Sequence, residues 1–386
     1  MNKKRFLLKL LPLLAISTIP VVIASCNNEK KVIKLNIATD WFEQKSSNNA
    51  VQKYQDLFNK TMKQLYEENK EKYNGASFLE LEIESNSDKN ATFNNVETNK
   101  VSAGIVNISQ LIDVSLENIV PYIQTLTLAF KEYGDKDMKT YKENPENFNI
   151  KKDSWINKYL STNPHSKWRY KEEKWDGAKF QFLYDEENKK VDWYAGMITI
   201  VGTEEELKNI RKSWDDKNWS EFSKFGIVHG KKGKQVKWKL ANKLFKDHFN
   251  LNDDEPIEKL EDKYKVQASG DDTYTQYIDK NKKQIFIDNM YSFAWTDPKD
   301  GDKPTTSFKL KEGVKMEVLA LTNLTFYDVL IFNKSIDEKS RMLFKDTLIK
   351  LSNDKQDDFG LKSGYNGYRE ITDFETLKNK YKKSFS

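Results

Sequence analysis

The stretch FSKFGIVHGKKGKQVKWKLANKLF, residues Phe222–Phe245, joins a short apolar run to an amphipathic segment through a loop of glycine and lysine. The run Phe225–Val228 has the composition of a buried strand. The apolar residues after the loop recur at helical spacing, at Val236, Leu240, Leu244 and Phe245. The loop Gly230–Lys234 therefore leads into a helix N-terminus, where free backbone N–H groups and the helix dipole attract anions. A solvated basic turn explains the same residues, so both interpretations stay open.

Strand-like and helix-like segments alternate along the chain before this stretch. The strands are predicted at 34–39, 78–83 and 103–108, and the helices at 49–73 and 91–101. Such a βαβαβ order predicts a parallel or mixed sheet covered by helices. A second βα rhythm surrounds the quoted stretch, and two long extended runs, 193–201 and 319–332, would carry the chain from one lobe to the other and back. The pattern predicts an α/β fold of the two-lobe, type II periplasmic-binding-protein kind, with a mixed sheet and flanking helices in each lobe and a hinged cleft between the lobes.

The domain boundaries follow from this alternation and from changes in composition. We predict a signal peptide at 1–25, a tether at 26–33, lobe I at 34–196 plus 326–386 with an aromatic-rich insertion at 131–192, and lobe II at 197–325.

The N-terminal residues have the pattern of an export signal. Four basic residues precede the apolar run 10–24, and Ser25 and Cys26 follow directly after Ala24 at its end. Cys26 is the only cysteine in the chain and lies where cleavage of a lipoprotein precursor would leave it first. We predict that Cys26 is acylated and holds the protein at the extracellular face of the cell membrane. The alternative is an uncleaved anchor helix, which Lys9 and Pro12 disfavour.

Charge and cysteine content narrow the functional classes. The formal net charge of +5 falls to +1 when the four basic residues of the signal, which has no acidic residue, are removed. A nearly neutral mature chain does not favour nucleic-acid binding. With its one thiol acylated, the chain could form neither a disulfide nor a cysteine metal site. The acids near Gly301 lack the spacing of a calcium loop, so no metal site is predicted.

Ligands of two-lobe α/β proteins bind where loops leave the carboxyl ends of the strands. Polar and aromatic residues in those loops are the predicted ligand contacts. They are Asp40 and Trp41; Asn107 and Ser109; His229, Gly230, Lys231, Gly233 and Lys234; Tyr291, Ser292 and Trp295; and Asn323, Tyr327 and Asp328. Several have plainer explanations: Asp40 as a helix cap, Trp295 and Tyr327 as core, and His229 as an ordinary turn residue.

Four segments resemble a known family. MITIVGTEEELKNIRKSWDDKNWSEFSKFGIVHGK (197–231), SFAWT (292–296), Tyr327-Asp328-Val329 and GYNGY (364–368) are similar to the mycoplasma high-affinity transport-system lipoproteins, the extracytoplasmic thiamine-pyrophosphate-binding family. A looser similarity extends to phosphonate-type substrate-binding proteins of ATP-driven importers. The chain departs from that pattern in its Gly/Lys loop, where Ser, Thr and Gly are expected, and at Ala195, where a larger polar residue is expected.

The resemblance implies a monomeric binding protein that delivers thiamine pyrophosphate to an ABC permease, without catalysis and without a cofactor. The loop Gly230–Lys234 would then hold the phosphates, and aromatic rings including Tyr365 would stack on the thiazolium and aminopyrimidine. Asp40 or Asp328 would pair with positive charge, while Asn107, Ser109 and Asn366 would add hydrogen bonds.

Two other functions fit the residues. An aromatic-lined cleft would suit an oligosaccharide, although a neutral sugar has no need of the Gly/Lys helix start. A surface phosphatase or glycosidase would need a metal or a perturbed acid pair in the cleft, and no catalytic motif in the sequence favours one.

Overall fold

The computed structural model describes residues 31–39, 42–43, 46, 48–131, 149–186, 189–268, 276–278, 282–297, 299–300, 303–304 and 308–385. The predicted signal peptide and three residues of interest, Cys26, Asp40 and Trp41, lie outside these ranges. None of the helices in the described part has the length and apolar character of a membrane span.

The described strands and helices follow the predicted order. The strands are β1 (Val32–Ile37), β2 (Glu80–Ser85), β3 (Ala103–Val106), β4 (Ile119–Leu128), β5 (Lys190–Val191), β6 (Trp193–Gly202), β7 (Ile227–His229), β8 (Lys265–Gln267), β9 (Ile285–Asn289), β10 (Lys299–Asp300), β11 (Lys303–Pro304), β12 (Lys315–Phe326), β13 (Val329–Asn333) and β14 (Gly367–Glu370). The α-helices are α1 (Ala50–Glu68), α2 (Lys89–Glu97), α3 (Trp155–Thr162), α4 (Glu204–Asp215), α5 (Trp219–Lys224), α6 (Ala241–Phe249), α7 (Glu338–Asn353), α8 (Asp358–Ser363) and α9 (Phe374–Lys382). Short 3-10 turns include Ile108–Leu111, His165–Lys167, Gln181–Leu183 and Ser292–Trp295.

The first sheet runs in the order β14-β4-β13-β3-β1-β2, with β5 added beside β4. β1 is parallel to β2 and β3, whereas β13 is antiparallel to both β3 and β4. The start of β13 therefore lies at the same edge as the ends of β3 and β4. Helices α1 and α7 bury one face of this sheet through residues such as Phe58 and Phe344, and α2 and α9 bury the other face.

The second sheet runs in the order β12-β6-β9-β7-β8. β6 is antiparallel to β12 and β9, and β7 is parallel to β9 and β8. Helices α4, α5 and α6 cover one face with residues such as Leu207, Phe222 and Phe245. Both sheets are mixed and flanked by helices, so the predicted fold class is confirmed.

The quoted stretch forms a strand and a helix with shifted bounds. Residues predicted to start the strand belong to a helix end instead, because Phe225 caps α5 and Gly226 turns the chain with a φ of +76°. A residue other than glycine is strained at that φ. After the loop, the chain enters a π-helical turn, Gln235–Leu240, which continues directly into α6.

The described part of the aromatic insertion packs on the second sheet, although the sequence grouped it with lobe I. Trp168 and Phe180 share one core cluster with Met197 and Phe286 of that sheet. Asn157 binds the free edge of β12: its amide donates to the Val318 carbonyl at 2.9 Å, and its carbonyl accepts from the Val318 N–H at 2.8 Å. The insertion thus covers an edge strand whose backbone groups would otherwise be open to other chains.

The GYNGY segment, predicted as a loop, is half strand. Gly367 and Tyr368 begin β14, which pairs with β4 at the sheet edge. The Tyr368 hydroxyl donates to the buried carboxylate of Asp357 at 2.5 Å, and Tyr54 donates to the same carboxylate at 2.7 Å. Tyr368 is therefore part of the core of lobe I.

We expect Asn157→Ala to lower the free energy of unfolding by about 2 kcal/mol, because a buried backbone donor and acceptor of Val318 would each lose a partner. Denaturant titration followed by circular dichroism measures this change. The exposed Asn252 provides the control, since Asn252→Ala should stay within about 0.5 kcal/mol of wild type. Equal effects of the two substitutions would contradict a bridging role for Asn157.

A second stability prediction concerns His165, which is 2% exposed and holds the turn that contains Trp295. Its Nε2 lies 3.1 Å from the Phe293 carbonyl and 2.8 Å from the Thr296 carbonyl, so this nitrogen carries the proton that both carbonyls accept. Burial lowers the pKa of His165 to about 4. The unfolded chain has an imidazole pKa of about 6.5 and binds the proton more readily.

The stabilisation from neutral His165 is therefore present above pH 6.5 and is lost as the pH falls toward 4. Between pH 7.5 and 4.5, we expect wild type to lose about 2 to 3 kcal/mol more unfolding free energy than His165→Gln. Glutamine can donate to the same carbonyls but does not titrate. Chemical denaturation of both proteins at the two pH values measures the difference, and identical pH dependence would contradict the assignment.

Candidate functional site

The two sheets meet where the chain crosses between them. β12 of the second sheet and β13 of the first are separated only by Tyr327 and Asp328. The other crossing is just as short, because only Asp192 separates β5 from β6. The two crossings are joined by a hydrogen bond from the Tyr327 N–H to the Asp192 carbonyl at 3.0 Å. Strand ends from both lobes therefore converge on this junction.

Asp328 is the most connected of the predicted contact residues. Its Oδ1 accepts a hydrogen bond from the Asn107 amide at 2.6 Å, and its Oδ2 accepts from the Tyr365 hydroxyl at 2.7 Å. The Lys89 ammonium forms an ion pair with Oδ2. The backbone carbonyl of Asp328 accepts from the N–H and the hydroxyl of Thr125, both at 3.0 Å. With 13% of its side chain exposed, the carboxylate is held at the junction but not sealed from it.

Three tyrosines surround this carboxylate. The rings of Tyr194 and Tyr327 lie 4.9 Å apart between centroids, and Tyr365 binds Asp328 directly. Burial raises the pKa of Tyr327 to about 12. Burial, with the negative charge of Asp328 adding to it, also raises the pKa of Tyr194 and Tyr365. All three phenols therefore stay neutral near pH 7, and together with Asp328, whose carboxylate is paired with Lys89, they form an aromatic surface that contains one carboxylate.

Trp295 forms a second part of the junction. The insertion is joined to its turn by a hydrogen bond from the Phe180 N–H to the Ala294 carbonyl at 2.8 Å. On lobe I, a Cβ added to Gly364 would lie 3.5 Å from the Trp295 ring, and Gly364 has a φ of +93°. The positive φ favours glycine at this turn, and the indole lies within ordinary contact distance of it. Trp295 belongs to the second lobe and Gly364 to the first, so this contact spans the two lobes.

The Gly/Lys loop lies at the start of the π-helical turn. Lys231, Gly233 and Lys234 are exposed, while the buried Gly230 donates its N–H to the Lys237 carbonyl at 3.1 Å. The next residue, Gln235, donates its side-chain amide to the Thr325 hydroxyl. Thr325 is paired with Tyr194 across β12 and β6. The helix start is therefore linked to the strand that carries one of the junction tyrosines.

Other predicted contact residues have structural partners. His229 is buried with its ring 4.9 Å from that of Trp238, and burial lowers its pKa. Tyr291 is 1% exposed and lies in the core against Phe130. Two more bind their own surroundings: the Ser292 hydroxyl donates to Asp288 at 2.8 Å, and the Asn323 amide donates to the Ser384 carbonyl at 2.9 Å.

Ser109 and Asn366 complete the set. Ser109 is exposed and hydrogen-bonds to Tyr381. The Asn366 N–H donates to the Leu126 carbonyl at 2.7 Å, but its buried Oδ1 has no hydrogen-bond partner among the described residues. The same holds for the side-chain nitrogen of Gln124, on the strand beside it. Two unsatisfied polar atoms on neighbouring segments are the kind of groups that a bound ligand satisfies.

The sequence did not single out several residues of the junction. They are Lys89, Gln124, Lys179, Tyr184 and Tyr194. Tyr194 could have been found from its place at the start of a crossing strand. The lysines could not, because they are two among 64 basic residues. Across the described residues, no cluster of three or more His, Cys, Asp or Glu side chains could hold a metal ion.

Comparison with known proteins identifies the family of the chain. Residues 52–383 match the model of the extracytoplasmic thiamine-binding lipoprotein family. The chain is 32% identical over 361 residues to the high affinity transport system protein p37 of Mesomycoplasma hyorhinis, with 89% of this chain and 86% of the relative covered. It is 30% identical to the p37 protein of Mycoplasma pneumoniae, with 72% of this chain and 74% of the relative covered.

A solved structure is also similar. It is that of Mycoplasma hyorhinis Mh-p37, described as a candidate thiamine pyrophosphate transporter, and it has a TM-score of 0.75 and 29% identity. The match covers 92% of this chain and 99% of that structure. The resemblance seen in the sequence is confirmed: the chain belongs to the extracytoplasmic thiamine-binding lipoprotein family.

Proposed function

We propose that this protein is the lipid-anchored substrate-binding protein of an ABC importer and that it binds thiamine pyrophosphate between its two lobes. The observation that carries the proposal is the carboxylate of Asp328, held by Lys89, Asn107 and Tyr365 at the junction of the two sheets. Family membership and the likeness to Mh-p37 support the transport role. Acylated Cys26 would keep the protein at the outer face of the membrane, beside its permease.

The site has chemistry for the cationic part of this ligand. A thiazolium ring is flat and positively charged, and it gains from aromatic faces and a nearby carboxylate. Tyr194, Tyr327 and Tyr365 supply the aromatic groups around Asp328. Asn107 and Asn366 would add hydrogen bonds to the aminopyrimidine. The group is a binding surface and not a catalytic one, so ligand would be released unchanged to the permease.

The phosphates require positive charge or free N–H groups. The Gly230–Lys234 loop at the helix start offers exposed lysines, and the charge of the two phosphates would favour that end of the helix. A ligand bound to Asp328 and Tyr365 of one lobe and to this loop of the other would stabilise the closed arrangement, because only that arrangement makes both sets of contacts. An oligosaccharide would use the aromatic rings and could donate hydroxyls to Asp328, but as a neutral ligand it would have no need of the lysines.

We expect the full chain, purified in mild detergent, to bind thiamine pyrophosphate with a Kd below about 1 μM and to bind maltose and inorganic phosphate far more weakly. Asp328→Asn should weaken thiamine pyrophosphate binding by about 10- to 100-fold, because the ligand cation loses its carboxylate. Calorimetry measures both. Asp254→Asn is the control, since Asp254 is 88% exposed and pairs only at the surface with Lys246. Tight binding of maltose instead would support the sugar-binding alternative.

A separate measurement tests the Gly/Lys loop. If Lys231 and Lys234 hold the phosphates, the double variant Lys231→Ala, Lys234→Ala should weaken thiamine pyrophosphate binding by about 10-fold, with thiamine affinity unchanged. Exposed Lys239, on the same helix start, supplies the control substitution Lys239→Ala. Unchanged affinity in the double variant would leave the loop as a solvated basic turn and place the phosphate contacts elsewhere.

A further inference from the structure

A buried lysine lies behind Trp295. Lys179 is 0% exposed, and its Nζ lies 4.9 Å from the centroid of the Trp295 ring and 5.9 Å from that of Tyr184. A lysine side chain is almost never fully buried unless its charge is paired. Its ion-pair partner among the described residues is Asp176, with Nζ 3.3 Å from Oδ2. This separation is longer than the 2.7–2.9 Å of a charge-assisted hydrogen bond.

The carboxylate of Asp176 is already used by other donors. Its Oδ1 accepts from the N–H groups of Ala178 and Lys179 at 2.9 and 2.8 Å, and its Oδ2 accepts from the Gln181 amide. The ammonium group makes no hydrogen bond of good geometry to any described residue. The ammonium form of Lys179 is therefore only partly compensated, immediately beside the junction of the lobes. Burial lowers the pKa of Lys179, which reflects the same cost.

The position of this charge determines what the exposed side of Trp295 can accept. Trp295 is partly exposed, has the Lys179 ammonium 4.9 Å from its ring centroid, and approaches Gly364 of lobe I. A positive ligand group stacked on the indole would be repelled by the ammonium, whereas an anionic group would be attracted through a medium of low dielectric constant. The negative charge of the junction is at Asp328, among the tyrosines. The positive charge of Lys179 and the negative charge of Asp328 thus lie in different parts of the junction.

We propose that Lys179 determines how the ligand is oriented, by drawing the phosphate end toward the second lobe, which carries both Trp295 and the Gly230–Lys234 loop, while Asp328 holds the cationic ring. The inference rests on the proposed function and adds a specificity residue to it. Because Lys179 is buried, it acts through its electric field and not through direct contact. It should therefore discriminate between phosphorylated and unphosphorylated forms of the same ligand.

The test compares wild type with Lys179→Met, which keeps the length of the side chain and removes its charge. Calorimetry of the full chain in detergent with thiamine pyrophosphate and with thiamine gives two dissociation constants for each protein. We expect Lys179→Met to reduce the preference for thiamine pyrophosphate over thiamine by about 10-fold or more, with thiamine affinity equal or higher. Lys171→Met, at an exposed lysine of the same segment, should leave the preference unchanged.

Thermal unfolding without ligand separates this role from a structural one. Since Asp176 keeps its other donors, loss of the buried charge should leave the melting temperature equal or raise it. A lower melting temperature together with equal weakening of both ligands would overturn the inference and make Lys179 a structural residue. An unchanged preference would overturn it as well. If the wild-type protein bound neither thiamine pyrophosphate nor thiamine, the proposed function would be overturned, and with it the inference that Lys179 orients the ligand.

Discussion

The carboxylate of Asp328 joins segments that are far apart in the sequence at the point where the chain returns from the second lobe. Lys89 begins helix α2, Asn107 follows β3, and Tyr365 precedes β14, and all three meet one side chain. Removing a partly buried carboxylate from water is costly, and these donors offset that cost. The ends of three elements of lobe I are thereby held together beside the crossing to lobe II.

The same interaction fixes what the junction can recognise. The pKa values of Tyr194, Tyr327 and Tyr365 are raised, so these phenols remain neutral. Asp328 can therefore accept a hydrogen bond from the Tyr365 hydroxyl. A ligand approaching from the cleft meets aromatic faces and a carboxylate whose hydrogen bonds are already made. Such a preorganised group loses little conformational freedom on binding, which favours affinity. This accounts for a binding role better than for catalysis, which would need a reactive group with a free partner.

Much of the fold could be predicted from the sequence because its signals are local. The helical spacing of Tyr54, Phe58 and Met62 predicted α1, and the interruption at Tyr327-Asp328 marked the boundary between β12 and β13. The bounds were less certain where one residue decides them, as at Gly226. Pairing between distant segments could not be predicted. Nothing in the local pattern indicates that the insertion would cover β12.

In the candidate site too, residues with a local sequence signal could be predicted, and residues without one could not. Asp328 and Asn107 were predicted from their places at strand ends and Tyr365 from the family resemblance, and the structure brings all three together. Tyr291 has the same kind of position, yet its ring is in the core, 4.7 Å from that of Phe130 between centroids. Lys89 and Lys179 have no signal of their own in a chain with 64 basic residues. The importance of Lys89 comes from its ion pair with Asp328 and that of Lys179 from its burial beside Trp295, which only the folded structure specifies.

The separation of charge at the junction also bears on how the two lobes would work together. Asp328 belongs to the first lobe, whereas Lys179 packs with the second through the turn that holds Trp295. A ligand with a cation at one end and phosphates at the other would reduce the electrostatic cost in both lobes at once, but only when the lobes are close together. A ligand that lacks either charge would reduce the electrostatic cost in one lobe only. It would favour closure less, since a ligand shifts an equilibrium only by the difference between its affinities for the open and closed states. Selection by charge and closure of the cleft would then have the same physical origin.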